Sequence, residues 1–206
     1  MFFRRNGRTD PREAAWQEQA ASLGLSLCED GQELLEPFLD LSSTPVASGV
    51  YRATETGGLQ LFTFDLLSDD RSPGRHELAA ACLLVADQEF CPVPMRVERQ
   101  LRSQLADIQA GASQAQVVLT GAADGFDERV TVVARDAETA GRVMRAPVRQ
   151  AVSRLLERTG QTPVVTMNSR QLLAQVKADQ FELAGLGNLL ADMLSLYVAV
   201  SSDPAS

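Results

Sequence analysis

The sequence predicts an α+β fold, with an antiparallel or mixed sheet built from β-hairpins and with helices packed mainly on one face. Two pairs of strand-like segments separated by short turns indicate hairpins: 46–54 with 59–67, and 163–167 with 171–176. The third observation is a helix over 136–158 whose apolar residues recur at alternating steps of three and one. Strands joined by short turns pair antiparallel, and a helix with one apolar face needs a layer to cover it.

The N-terminal quarter predicts a helix followed by two short elements. Asp10 and Pro11 suit the start of a helix, and Gly24 suits its end. Residues 25–28 predict a short strand. Residues 32–41 are acidic and partly helical.

The first hairpin turns at Gly57 and Gly58, and its second arm alternates in the manner of a strand with two different faces. Residues 77–86 form a near-continuous apolar run of strand length. Residues 95–97 predict a short edge strand, because prolines are tolerated at a sheet edge. A further helix is marked by apolar residues at helical spacing: Leu101, Leu105 and Ile108.

The stretch from 128 to 158 organises the chain, because a strand over 129–134 leads directly into the long amphipathic helix. Its predicted buried stripe is Ala140, Val143, Met144, Pro147, Val148, Ala151, Val152, Leu155 and Leu156. A proline inside a helix removes one hydrogen bond and clashes with the preceding turn. We therefore expect a kink or a break here, with Ala146 or Pro147 opening a second segment.

The remaining segments predict a strand before the central stretch, and a hairpin and a last helix after it. The strand covers 116–120 and is followed by a loop at 121–125. The hairpin turns at Asn168 and Ser169. The last helix is expected to begin at Asp179, with Glu182 at the capping-box position.

Length and composition indicate one cytoplasmic domain. We assign a loose lead to 1–9, a single domain to 10–200 and a disordered tail to 201–206. The 206 residues are 45% hydrophobic and carry a net charge of −8, which disfavours nucleic acid and anionic membranes as partners. No signal-like segment is evident, and no apolar run is expected to reach membrane-spanning length.

The cysteines and the histidine offer little chemistry. Cys28, Cys82 and Cys91 are odd in number and lack a C-x-x-C pair, so we expect reduced thiols and no disulfide or zinc site. His76 could act as a general base, with Asp65 as the nearest carboxylate across a hairpin. No catalytic residue, metal ligand or cofactor is assigned.

The helix face over 135–158 carries the clearest indication of binding. It holds six arginines against three acidic residues in an otherwise acidic chain. Arginine suits carboxylate and phosphate recognition. We predict an anion or partner contact at Arg142, Arg145 and Arg149.

The last helix predicts self-association, because its apolar residues cover most of its circumference. A helix on one sheet needs only one apolar face, so a second surface must cover this one. That surface is either another layer of the same domain or a second copy of the chain. For a homodimer the predicted contacts are Gly185, Leu189 and Leu196.

The pattern Phe126, Val130, Val132, Ala134 and Asp136 resembles a diffuse group of uncharacterised bacterial α+β proteins with no assigned activity. Further resemblance lies in Trp16, Leu23, Gly24, Leu25, Gly49, Arg52 and the run 61–65. It implies a non-enzymatic or undefined bacterial protein and carries over no site residue.

We interpret the chain as a non-enzymatic bacterial protein-interaction module that self-associates. The alternative is a small-molecule or anion binder, or an enzyme. It would use His76 with a nearby carboxylate, or the arginine-rich helix face.

Overall fold

The computed structural model of the chain describes residues 11–39, 46–53, 57–69, 76–99, 116–121, 125–158 and 163–202. The strands are β1 (Ser26–Leu27), β2 (Val46–Arg52), β3 (Leu59–Asp69), β4 (His76–Ala86), β5 (Met95–Arg99), β6 (Gln116–Val117), β7 (Val130–Ala134), β8 (Val164–Met167) and β9 (Gln171–Lys177). The helices are α1 (Pro11–Ser22), α2 (Gly31–Leu35), α3 (Phe126–Arg129), α4 (Ala137–Val143), α5 (Ala146–Arg158) and α6 (Leu186–Ser201). The lead at 1–9, the helix marked by Leu101 and most of the tail lie outside the described residues.

The strands form one sheet in the order β1-β2-β3-β4-β9-β8-β5-β7-β6, and every pairing is antiparallel. This confirms the α+β class and both predicted hairpins. The edge position expected for β5 is wrong, because β5 pairs with β8 on one side and β7 on the other. The prolines at positions 92 and 94 precede the strand, so they remove no hydrogen bond from its ladder.

Helices cover the sheet mainly on one face, as expected. Side chains along β4 alternate, so Cys82 and Leu84 join the large core under α1, α4, α5 and α6, whereas Ala81 and Leu83 point to the other face. On that second face Phe62 and Phe64 of β3 pack with Leu35 of α2.

The long helix is broken before Pro147, which confirms the predicted break. Helix α4 ends at Val143, and α5 begins at Ala146, so the proline stands in the first turn, where a missing N–H costs least. Pro147 itself is exposed, which corrects its place in the buried stripe, and Val143 is only partly buried. The other seven residues of that stripe are buried.

The expected cap of the last helix at Asp179 is wrong. Asp179 lies in a 3-10 turn, Ala178–Gln180, and a second such turn, Leu183–Gly185, precedes α6. Between the turns, Phe181 and Glu182 are extended and Phe181 is buried, so the helix cannot run through them. Gly185 stands at the cap position of α6 without a side-chain hydrogen bond.

Substitution of two glycines by alanine should change the free energy of unfolding in opposite directions. A Cβ at Gly31 would lie 2.4 Å from Val50 Cβ and 2.6 Å from its Cγ2, so Gly31→Ala should lower the free energy of unfolding by about 1–3 kcal/mol. A Cβ at Gly141 in α4 would lie 3.9 Å from Val118 Cγ1, an ordinary contact. Gly141→Ala should therefore raise stability by up to about 1 kcal/mol, through better helix propensity. Urea unfolding followed by circular dichroism measures both. Stabilisation by Gly31→Ala would contradict the close packing on Val50, and destabilisation by Gly141→Ala would contradict the free space at Gly141.

Candidate functional site

A basic groove runs along α5, from Ala146 at its start to Glu157 near its end. It consists of two adjoining cavities of about 450 Å³ and 250 Å³ that share Arg129 and Ser153 in their linings. We call this feature the α5 groove. Its polar and charged lining is Arg99, Glu128, Arg129, Arg149, Gln150, Ser153 and Glu157. Three arginines against two glutamates give the groove a net positive charge within an acidic chain.

Three separate elements bring these side chains together. Arg99 is the last residue of β5, and its register partner on β7 is Val130, which directly follows Arg129. Arg149 and Ser153 are four residues apart on α5 and therefore share one helix face. The groove thus forms where the end of β5 and the start of β7 approach α5.

Hydrogen bonds inside the chain position two of the arginines. Arg129 donates through Nε to Gly125 O and through Nη1 to Glu157 Oε1, at 3.3 Å in both cases. The Arg129 and Glu157 side chains are 55% and 63% exposed, so water screens this ion pair and it adds little stability. Arg149 Nη1 donates to Met144 O at 2.9 Å, at the break between α4 and α5. A guanidinium carries five N–H donors, so a ligand carboxylate can share it with these partners.

The three arginines predicted from the sequence do not converge. Arg149 lines the groove. The Arg142 side chain is 72% exposed, and its Nη2 lies 3.6 Å from Glu138 Oε1 on the same helix. Arg145 reaches α6, where its Nη2 donates to Ala199 O at 2.7 Å and also to Ser202 O. The sequence did not predict Arg99 and Arg129 as site residues, because no local pattern indicates that they approach α5.

The register of β3 and β4 separates His76 from Asp65. His76 pairs with Asp69, whereas Asp65 pairs with Ala80, four residues or roughly 13 Å further along the strand. Both carboxylate oxygens of Asp65 accept hydrogen bonds from Arg12, each at 2.7 Å. Asp65 is therefore committed to α1 and is not placed to orient His76. The His76 and Glu77 side chains lie outside the described part of the structure.

The residues proposed for self-association lie mostly in the chain's own core. Leu189 and Leu196 are 2% and 0% exposed, because α6 packs on β4, on β9 and against α5. Gly185 ends a 3-10 turn and borders open space. Burial corrects the choice of contact residues: the exposed large apolar side chains of α6 are Leu194 and Val198.

The segment Leu183–Ser201 corrects one further expectation. Within its 19 residues, an 18-residue window has a mean hydropathy of 1.6, so by length and composition alone the segment could cross a membrane. In the fold it supplies α6, and buried core helices reach similar values. The segment by itself therefore does not assign a membrane location.

The sheet and its helices place the chain in the class of α+β proteins whose antiparallel sheet carries helices mainly on one face. A solved structure of this fold is the crystal structure of the mycobacterial trehalose monomycolate transport factor A, TtfA. The two superpose with a TM-score of 0.62 over 91% of this chain and 93% of that chain, at 12% sequence identity. Likeness at this identity shows a shared fold alone. No family model matches the chain, and no curated protein matches it.

The burial of the three cysteines predicts that a thiol reagent reaches one thiol per chain in the native state. Cys28, Cys82 and Cys91 are free, and burial raises the pKa of each thiol. Cys28 is half-buried and the other two are buried. A chromogenic disulfide reagent at about pH 8 should therefore modify one thiol in the native state, more slowly than free cysteine. The other two should react only in denaturant, and Cys28→Ser should remove the native reaction. A native disulfide, found by mass spectrometry, would overturn this.

Arg145 should contribute more to stability than Arg142. Arg145 supplies hydrogen bonds to carbonyl groups at the C-terminal end of α6. Arg145→Ala should lower the free energy of unfolding by about 1–2 kcal/mol and speed amide exchange in the last turn. Arg142→Ala serves as the control and should stay within about 0.5 kcal/mol of wild type. Equal losses would show that Arg145 does not anchor the helix end.

Proposed function

We propose that the chain is a non-enzymatic protein-interaction module that binds an acidic segment of a protein partner in the α5 groove. The observation that carries this proposal is a groove with net positive charge on a chain of net charge −8. An acidic ligand gains charge-assisted hydrogen bonds from Arg99, Arg129 and Arg149. The carboxylates elsewhere on the chain would repel the same ligand.

The lining favours a polypeptide over a nucleic acid. A long polyanion would meet the negative field of the whole chain, whereas a short acidic segment meets mainly the groove. Gln150 and Ser153 offer donors and acceptors for a peptide backbone. Pro147, Val130 and Leu156 supply apolar contacts beside the arginines. This mixture suits a peptide in which acidic and apolar side chains alternate.

A role in binding rather than catalysis fits the groove's chemistry. The described lining residues include no histidine and no cysteine, so they form neither a Ser–His nor a Cys–His pair. The similar fold of TtfA belongs to a protein described as a transport factor. We propose an accessory role for the chain in the bacterial cytoplasm, with self-association as a second part of that role.

A small anionic molecule is the second candidate ligand of this groove. The larger cavity, about 450 Å³, falls within the range of small-molecule sites. Competition by inorganic phosphate distinguishes the two ligands, because phosphate presents the charge without the length of a peptide.

The proposal predicts that the groove arginines control binding of a fluorescein-labelled octaglutamate peptide. Fluorescence anisotropy at low salt should show saturable binding to the wild type. Arg129→Glu and Arg149→Glu should each weaken it by about ten-fold or more, from loss of a charge-assisted contact and added repulsion. Arg142→Glu makes the same charge change outside the groove and should bind within about two-fold of wild type.

Three outcomes would overturn the assignment. Absence of saturable binding removes the acidic ligand. Equal weakening by Arg142→Glu shows that net charge, and not the groove, sets the affinity. Displacement of the peptide by phosphate well below millimolar concentration reassigns the groove to a small anion. Thermal melts of each variant confirm that the fold is retained.

A further inference from the structure

The outward side of α6 carries no charge. The only charged residue between Leu186 and Ser201 is Asp192, and it is buried at 6% exposure. The exposed positions follow one another at steps of three and four: Asn188, Ala191, Leu194, Val198 and Ser201, with the partly buried Gly187 beside Asn188. Leu194 and Val198 are 38% and 58% exposed. A helix that covers a sheet ordinarily turns charged and polar side chains outward, whereas this side holds two large apolar side chains and no charge beside Asn188 and Ser201.

We propose that the outward side of α6 packs against the same side of a second copy, as an antiparallel helix pair. This deepens the self-association part of the proposed function and names its contact. A two-fold axis between Asp192 and Met193 sets Ala191 opposite the partner's Leu194. The same axis sets Gly187 opposite the partner's Val198. In the first pair a small residue meets a larger one, and in the second the partner's Val198 meets Gly187 together with the side chain that lies over it, so the same surface serves both copies, as a two-fold contact requires.

Leu23, which directly follows α1, extends this surface at one end. Its Cδ2 lies 3.2 Å from where a Cβ on Gly187 would stand, so it borders this surface directly. Leu23 is 39% exposed and adds apolar area where the partner's Val198 arrives. A helix–helix contact alone buries less than the roughly 800 Å² per partner of a standard interface, so we expect a reversible dimer with a Kd on the order of 10 µM.

Charge favours a second copy over a lipid surface. Surface-lying membrane helices carry lysine and arginine on their polar side, whereas residues 183–202 contain neither. The net charge of −8 further opposes an anionic membrane. Two copies of so acidic a chain repel each other least where they meet through a surface without charges, and α6 supplies such a surface.

Sedimentation velocity of the full chain, from about 5 to about 200 µM, tests the dimer around the expected Kd. The wild type should shift from monomer to dimer over this range. Leu194→Glu and Val198→Glu should stay monomeric, with thermal melts confirming their fold. The matched control is Leu119→Glu, the same type of change at a side chain that is 78% exposed near the β6 edge, and it should dimerise as the wild type does.

Cysteine cross-linking in a Cys28→Ser background tests the antiparallel direction. About the proposed axis, the two copies of position 194 lie about 4.5 Å apart along the helices, and those of position 198 about 16.5 Å apart. Leu194→Cys should therefore form a disulfide dimer under mild oxidation, whereas Val198→Cys should not. Efficient cross-linking at both positions would indicate a parallel pair and overturn the arrangement.

Other results would also overturn the proposal. These are a wild type that stays monomeric at all concentrations, or a dimer that survives both glutamate variants. Binding of the monomer to phosphatidylglycerol vesicles, abolished by Val198→Glu, would assign the surface to lipid. Failure here is separable from failure of the α5 groove, because Leu194→Glu should still bind octaglutamate and Arg149→Glu should still dimerise.

Discussion

The pairing of β4 with β9 is the constraint on which the rest of the structure depends. Seven register pairs, from Ala79 with Lys177 to Val85 with Gln171, join the first four strands to the C-terminal hairpin. Without them the sheet would be two smaller sheets, each with an exposed edge. Because β9 lies in the middle of the sheet, the chain that follows it returns as α6 over the centre of the large core. There α6 packs against α5.

A second local constraint acts within that frame. The break before Pro147 separates α4 from α5 and leaves Met144 and Arg145 between them. The freed carbonyl of Met144 accepts a hydrogen bond from Arg149, and Arg145 crosses to the end of α6. One proline therefore helps to set both the position of a groove arginine and the anchoring of the last helix. An unbroken helix would satisfy the Met144 carbonyl internally and leave Arg149 without this contact.

Local order in this fold could be predicted from the sequence, but long-range order could not. Hairpins, the buried stripe of α5 and the break before Pro147 follow from periodicity and proline sterics, which act over a few residues. The interior place of β5 depends on pairing with strands more than 30 residues away, and alternation along β5 does not encode its neighbours. The groove could not be predicted for the same reason, because Arg99 and Arg129 reach α5 only through the order of the strands in the sheet. Composition showed that the last helix exceeds one apolar face. It could not show that Leu189 points inward and Leu194 outward, since the starting residue and phase of α6 depend on the turn at Phe181.

The charge distribution relates the two proposed contacts. An acidic chain that binds an acidic segment needs its positive charge concentrated, and the α5 groove concentrates it where three elements meet. The same chain can approach its copy only through a surface where like charges do not face one another, and the outward side of α6 turns its single carboxylate inward. Added salt should therefore weaken binding of the acidic segment in the groove and strengthen self-association through α6. Screening weakens attraction in the groove, and it relieves repulsion between two chains of net charge −8 as their α6 surfaces meet. Opposite salt responses would separate a charge-driven ligand site from an apolar self-contact even before either partner structure is known.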